Sequence, residues 1–154
     1  MLDDNLRYMQ YAYKEAERAM EEGEVPVGCV IVHEGQIVGK AHNQRETLQD
    51  PTAHAEILAI TQAAAALHSW RLEGAKLYVT LEPCAMCAGA IILSRVAEVH
   101  FGAVDPKAGV CGTLMNLLED VRFNHQPVLH TGLMAGECGA ILTQFFRNIR
   151  SKQN

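Results

Sequence analysis

The stretch that most restricts the fold runs from residue 75 to 104, AKLYVTLEPCAMCAGAIILSRVAEVHFGAV. Its first seven residues, AKLYVTL, are mostly apolar and β-prone, as in a strand covered on both faces. Pro83 stands where a helix can begin, CAMCAGAIILS continues as a largely apolar helix, and VAEVHFGAV returns to strand character. A strand, a helix and a second strand in so short a span point to a sheet layered with helices. Upstream, LRYMQYAYKEAERAMEE carries helical apolar spacing and ends at Gly23, a residue suited to the left-handed position after a helix. The segment VPVGCVIVHEGQIVGKAHN reads as two strands around a turn at Glu34-Gly35. After a polar loop, Asp50-Pro51-Thr52 is expected to open a helix that contains His54 and runs to about His68. Beyond residue 104 the chain predicts a turn at DPKAG, a short helix over TLMNLLE, a strand near PVLHTG and a closing helix from about Met134 to Ile149. These elements predict a three-layer α/β/α sandwich around one mixed five-stranded sheet.

The chain has 154 residues, 49% apolar and 20% charged, which suits one domain spanning 1–154 and excludes a disordered or fibrous protein. Its start, MLDDN, is acidic where a secretory signal is basic, and the charge-free run from Pro83 to Ser94 is too short to span a bilayer. A cytoplasmic location without membrane contact is therefore expected. The five cysteines are an odd number and argue against a disulfide scaffold. Net charge is −5, yet residues 139–154 hold Arg147, Arg150 and Lys152 with no acid, so a local basic end remains available for phosphate.

Two motifs carry chemistry. Cys84 and Cys87 are three apart at the start of a helix, where both sulfurs share a face and the positive helix end favours thiolates. Taken alone, that spacing fits a metal, a redox pair or packed thiols. His54 lies thirty residues before Cys84, in the expected first turn of the preceding helix, and supplies a third soft ligand. One imidazole and two thiolates match zinc and leave a tetrahedral position open, the mark of a catalytic site. Glu56, two residues after His54, is then placed to move protons. The plainer alternatives are a favourable acid at a helix N-terminus and a closed structural zinc completed by Cys29, Cys111, Cys138 or another histidine.

The pairing of HAE at 54–56 with PCAMC at 83–87 resembles the signature of zinc-dependent nucleobase and nucleoside deaminases. Together with VPVGCVIV, DPTAHAEILAI, FGAVDPKAGVCGTLMNLL and the late FF, it is similar to the bacterial tRNA-specific adenosine deaminases over almost the whole chain. The resemblance implies a cytidine deaminase-like fold with one zinc per chain on His54, Cys84 and Cys87, and Glu56 as both general base and general acid. It implies hydrolytic deamination of adenosine to inosine at the wobble position of a tRNA anticodon, within a homodimer. It also implies substrate contacts at Asn43, Gly28, Asp105, Lys107, Phe145 and Arg147. All of these but Arg147 have a simpler counterpart: a turn former at Asn43, strand packing at Gly28, a solvated turn at Asp105 and Lys107, core aromatics at Phe145 and Phe146. Two other functions share parts of the pattern. A free-base or nucleoside deaminase for guanine or cytosine would use the same four site residues, and a non-catalytic zinc module would need no Glu56.

Overall fold

A computed structural model describes residues 3–153; Met1 and Leu2 of the acidic start, and Asn154, lie outside them. Helix α1 spans Asp4–Glu21, with the Asp3 carboxylate accepting from Asn5 N at 3.0 Å as its cap. Tyr8, Met9, Ala12, Ala16 and Ala19 recur at helical spacing and form its buried stripe, and Gly23 follows at φ +77°. Strands β1 (Gly28–His33) and β2 (Gln36–His42) form the hairpin. Positive φ at both Glu34 (50°) and Gly35 (77°) gives the turn whose twist matches antiparallel strands.

The remaining elements are the short helix α2 (Arg45–Leu48), α3 (Ala55–Leu67), β3 (Lys76–Leu81), α4 (Ala85–Ser94), β4 (Glu98–Ala103), β5 (Val128–Thr131) and α5 (Ala135–Gln153). The strands make one mixed sheet in the order β2-β1-β3-β4-β5, antiparallel on both sides of β1 and parallel from β3 onward. This is the expected three-layer α/β/α arrangement.

Alternation along the strands assigns the layers. Cys29, Ile31, Leu77, Val79, Val99 and Phe101 pack with Ala59, Ala63, Ile91 and Ile92 of α3 and α4. Val30, Val32 and Tyr78 point the other way, toward Tyr8, Met9 and Ala12 of α1, in the layer that also holds α5. A Cβ on Gly39 of β2 would come within 3.2 Å of the Ala59 carbonyl carbon. The bare glycine and the small residues Ala55, Ala59 and Ala63 thus let α3 lie close on the hairpin.

Three details differ from the sequence expectation. Asp50-Pro51-Thr52 forms a turn ahead of α3 rather than its first turn, because the Asp50 carbonyl accepts from Ala53 N at 3.2 Å and its carboxylate accepts from Thr52 N at 2.8 Å. The polar loop before it contains α2. Within TLMNLLE, Leu117–Glu119 makes a single 3-10 turn, since Asn116 is held in a bridge to Cys111. Among the described residues no helix is long and apolar enough to cross a membrane.

Candidate active site

The N-termini of α3 and α4 meet on one face of the sheet. His54 and Cys84 occupy the cap positions immediately before the two helices, with extended backbone and no capping hydrogen bond from either side chain. They therefore stand one residue outside the first turns in which the sequence placed them. A serine or aspartate there would spend its oxygen on the helix; imidazole and thiol leave their donor atoms free for each other. Cys87 follows within the first turn of α4, and Glu56 within the first turn of α3.

His54 Nδ1 lies 3.6 Å from Cys84 Sγ and 3.6 Å from Cys87 Sγ. With bond lengths of about 2.3 Å to sulfur and 2.0–2.1 Å to nitrogen, a tetrahedral zinc separates such donors by about 3.6 Å. The three side chains match that edge on both sides and form a group able to hold a metal ion. Cys29, Cys111 and Cys138 do not join it. All three are buried thiols with raised pKa, the last two pushed up to about 12 by burial.

Electrostatics agree with this division. The Cys84 thiol is lowered to about 3, first by the Cys87 thiol that donates to it and then by His54, while Cys87 is raised by the same contact and by burial. Glu56 is buried, and desolvation raises its carboxyl against the opposing pull of its own backbone N–H and of His54. A buried carboxyl with a raised pKa is suited to holding and releasing a proton.

A cavity of about 220 Å³ opens over the group, lined by His54, Glu56 and Cys84, with Asn43, Arg45 and Asp105 along its wall. It is smaller than the roughly 300–1,000 Å³ of clefts for drug-sized ligands, and suits one planar ring. Asn43 is buried: its Oδ1 accepts from Arg45 N at 3.1 Å and its Nδ2 donates to the Val25 carbonyl at 3.3 Å. It is a turn former and a cavity wall at once.

Two buried acids that the sequence reading did not single out shape this wall. Glu82, 2% exposed, accepts from the backbone N–H groups of Asp105, Cys111 and Thr113 and from the Thr113 hydroxyl. It pins loop 105–113, and a Cβ on Gly109 would collide with its carboxylate. Glu24, 1% exposed, accepts from Glu46 N at 3.1 Å and Thr47 N at 2.6 Å and so anchors α2, which carries Arg45. Burial pushes the Glu24 carboxyl up, but these hydrogen bonds outweigh it and the pKa falls. An acid inside an otherwise apolar run, as in VTLEP, was the available signal for Glu82.

Four expected contacts are not brought to the cavity. Gly28 faces α1, where a Cβ would clash with the Ala12 carbonyl and approach Ala16 N to 2.6 Å, so its small size serves helix packing. Lys107 is exposed in the turn whose N–H groups cap Asp105 and does not line the wall. Phe145 is buried on α5 with Cys138 and Ile141, and Phe146 is the exposed ring of the pair. Arg147 is exposed on the same helix.

Residues 3–150 match the family described as MafB19-like deaminase. The chain is 58% identical over 153 residues to the tRNA-specific adenosine deaminase of Bacillus subtilis (strain 168), covering 99% of this chain and 94% of that protein. It is 47% identical to the tRNA-specific adenosine deaminase of Aquifex aeolicus (strain VF5), over 94% of this chain and 95% of that one. A solved structure from work on A-to-I editing by tRNA:A34 deaminases at the wobble position of transfer RNA superposes with a TM-score of 0.85 at 41% identity, over 88% of this chain and 98% of the other. A guanine deaminase from Nitrosomonas europaea, at 22% identity and a TM-score of 0.81 over 91% of this chain and 83% of its own, shares the fold.

Proposed function

Since the chain belongs to the MafB19-like deaminase family, we propose that it acts as a single deaminase domain that hydrolyses adenosine to inosine at the wobble position of a tRNA anticodon. The observation that carries this reading is the His54, Cys84 and Cys87 donor set beside a cavity whose wall also holds the buried carboxyl of Glu56. The named relatives supply the substrate.

His54, Cys84 and Cys87 would hold one zinc ion, which would supply the Lewis acidity that makes water a nucleophile near neutral pH. Glu56 accepts one proton from the water and delivers it to the adenine ring N1 as the oxygen bonds to C6, then takes the second proton from that hydroxyl and passes it to the amine, so that the C6–N bond breaks, ammonia leaves and C6 becomes a carbonyl. Burial favours the protonated carboxyl and so helps Glu56 keep the proton between these transfers. Asn43 and Asp105 shape the wall on either side of the ring, and Arg45 presents a cation at the wall for phosphate. The target base has to leave its stack to enter the cavity, which costs least in an unpaired loop such as the anticodon.

The enzyme acts in the cytoplasm as a homodimer. Exposed apolar side chains at Leu93, Leu114, Met115, Val121 and Phe123 support such an interface.

The test offers the purified protein an anticodon stem-loop with adenosine at the wobble position, alongside free adenosine, cytidine and guanine, and quantifies inosine and ammonia. Inosine from the stem-loop alone is expected. Ammonia from a free base or nucleoside would assign the chain to metabolic deamination, and no product from a zinc-loaded sample would leave a non-catalytic zinc module.

A further inference from the structure

At the end of the sheet remote from Cys84, Lys76 and Glu98 pair at the start of β3 and β4, and Tyr78, His100 and His130 form the next rank across β3, β4 and β5. Residues two apart on a strand share a face, so Glu98 lies beside both imidazoles. His100 Nε2 is 3.4 Å from one Glu98 carboxylate oxygen and His130 Nε2 is 3.6 Å from the other. The rings are stacked, His130 on His100 at 4.4 Å and His100 on Tyr78 at 4.7 Å. The Tyr78 hydroxyl donates to Asn5 Oδ1 at 2.6 Å, so the inner part of the stack is clamped against α1. His100 is buried, whereas the His130 side chain is 48% exposed and that of Glu98 27%. The ligand atoms of Glu98, His100 and His130 all lie within 4.8 Å of one another.

We propose that Glu98, His100 and His130 form a second divalent-metal site, separate from the catalytic cavity, which clips edge strand β5 to β4. Two imidazoles and a carboxylate suit a borderline ion such as Zn²⁺, Co²⁺ or Ni²⁺. With bonds of about 2.0–2.2 Å, such an ion draws its donors to roughly 3–3.5 Å apart. His100 is preorganised by its stacking, and His130, half exposed on the edge strand, supplies the closing motion by rotation of its ring. Lys76, whose ammonium is 3.6 Å from a Glu98 oxygen, is itself half exposed and can swing into solvent as the ion enters. Strand β5 is four residues long, lies at the edge of the sheet and pairs with β4, so a cross-strand ion adds a fastening to a short edge ladder. The site stands on its own residues and does not depend on the deaminase reading.

The experiment uses untagged protein carrying its catalytic-site zinc, dialysed to equilibrium against Co²⁺ or Zn²⁺, with metal content per chain measured by emission spectrometry. Wild type should take up one equivalent beyond the catalytic one, and its Tm should rise with added metal. His130→Ala and Glu98→Gln should each lose that equivalent and the Tm response while keeping the first. Cys84→Ala should lose the first and keep the second. A wild type that saturates at one equivalent, or a second equivalent that survives in both β4 and β5 variants, would overturn the assignment.

Discussion

Glu82→Gln tests whether one buried carboxylate builds the far wall of the cavity. Each carboxylate oxygen accepts two hydrogen bonds, one from Asp105 N and the Thr113 hydroxyl, the other from Cys111 N and Thr113 N. The glutamine amide NH₂ must face one pair of donors. It will take the side of the Thr113 hydroxyl, which can rotate and accept, leaving the Asp105 N–H without a partner. An unpartnered buried N–H costs about 1–3 kcal/mol, and the retained bonds weaken because the acceptor is no longer charged. The sum is about 2–4 kcal/mol. For a chain of this size, each kcal/mol moves Tm by roughly 2–4 °C, so a fall of about 5–15 °C is expected in thermal denaturation followed by circular dichroism. Turnover on the stem-loop should fall as well at temperatures where the variant is fully folded, because Asp105 and Ala108 of the cavity wall ride on the released loop. Gly109→Ala, which drives a methyl into the same carboxylate, should reproduce both effects. A Glu82→Gln Tm within 2 °C of wild type would show that the loop is held by something other than this carboxylate.

Glu56→Gln keeps the volume of the side chain and should leave folding and the catalytic zinc intact while lowering inosine formation by at least about 10²- to 10⁴-fold, the range of a general acid–base group; unchanged deamination would refute the proton-transfer role. Cys84→Ala should purify without the zinc that wild type retains, as read by metal analysis, and a fully active zinc-free variant would contradict the ligand assignment. Gly28→Ala inserts a methyl into α1 and should destabilise by about 1–3 kcal/mol while leaving KM for the stem-loop unchanged, whereas a raised KM with normal Tm would return Gly28 to the substrate site. His42 bridges Glu15 (3.1 Å) and Glu22 (2.8 Å); burial lowers its pKa, but the two carboxylates outweigh burial and raise it. The stabilisation is therefore complete below the unfolded value of about 6.5 and is lost as pH climbs through the higher folded value. The Tm gap between wild type and His42→Gln should accordingly be wider at pH 5.5 than at pH 8.5, and a gap independent of pH would exclude the charged bridge.

The elements were legible in the sequence because their signals are local. Helical spacing in α1, the Glu34-Gly35 turn and the apolar runs of β3 and β4 each depend on neighbours a few residues away. The donor set was legible for the same reason: HAE and PCAMC place the required atoms at short fixed spacings next to helix starts. Tertiary packing decided everything that depends on which way a side chain faces. Phe145 and Phe146 are adjacent and chemically identical, and about 100° of helix rotation, fixed by how α5 lies on β4, buries one and exposes the other. Gly28 is equally able to admit a ligand or a helix, and the position of α1 chose the helix. Glu82 and Glu24 read as ordinary acids until distant backbone N–H groups converge on them. Short stretches of sequence were enough to predict the layered fold and to bring forward His54, Glu56, Cys84 and Cys87 as candidates for zinc and proton chemistry. Only the folded chain decided that His54 stands 3.6 Å from both sulfurs, that Glu56 is dry, and that His100 and His130 meet over Glu98. Such distances arise from strand register and helix placement, which no local stretch of sequence encodes.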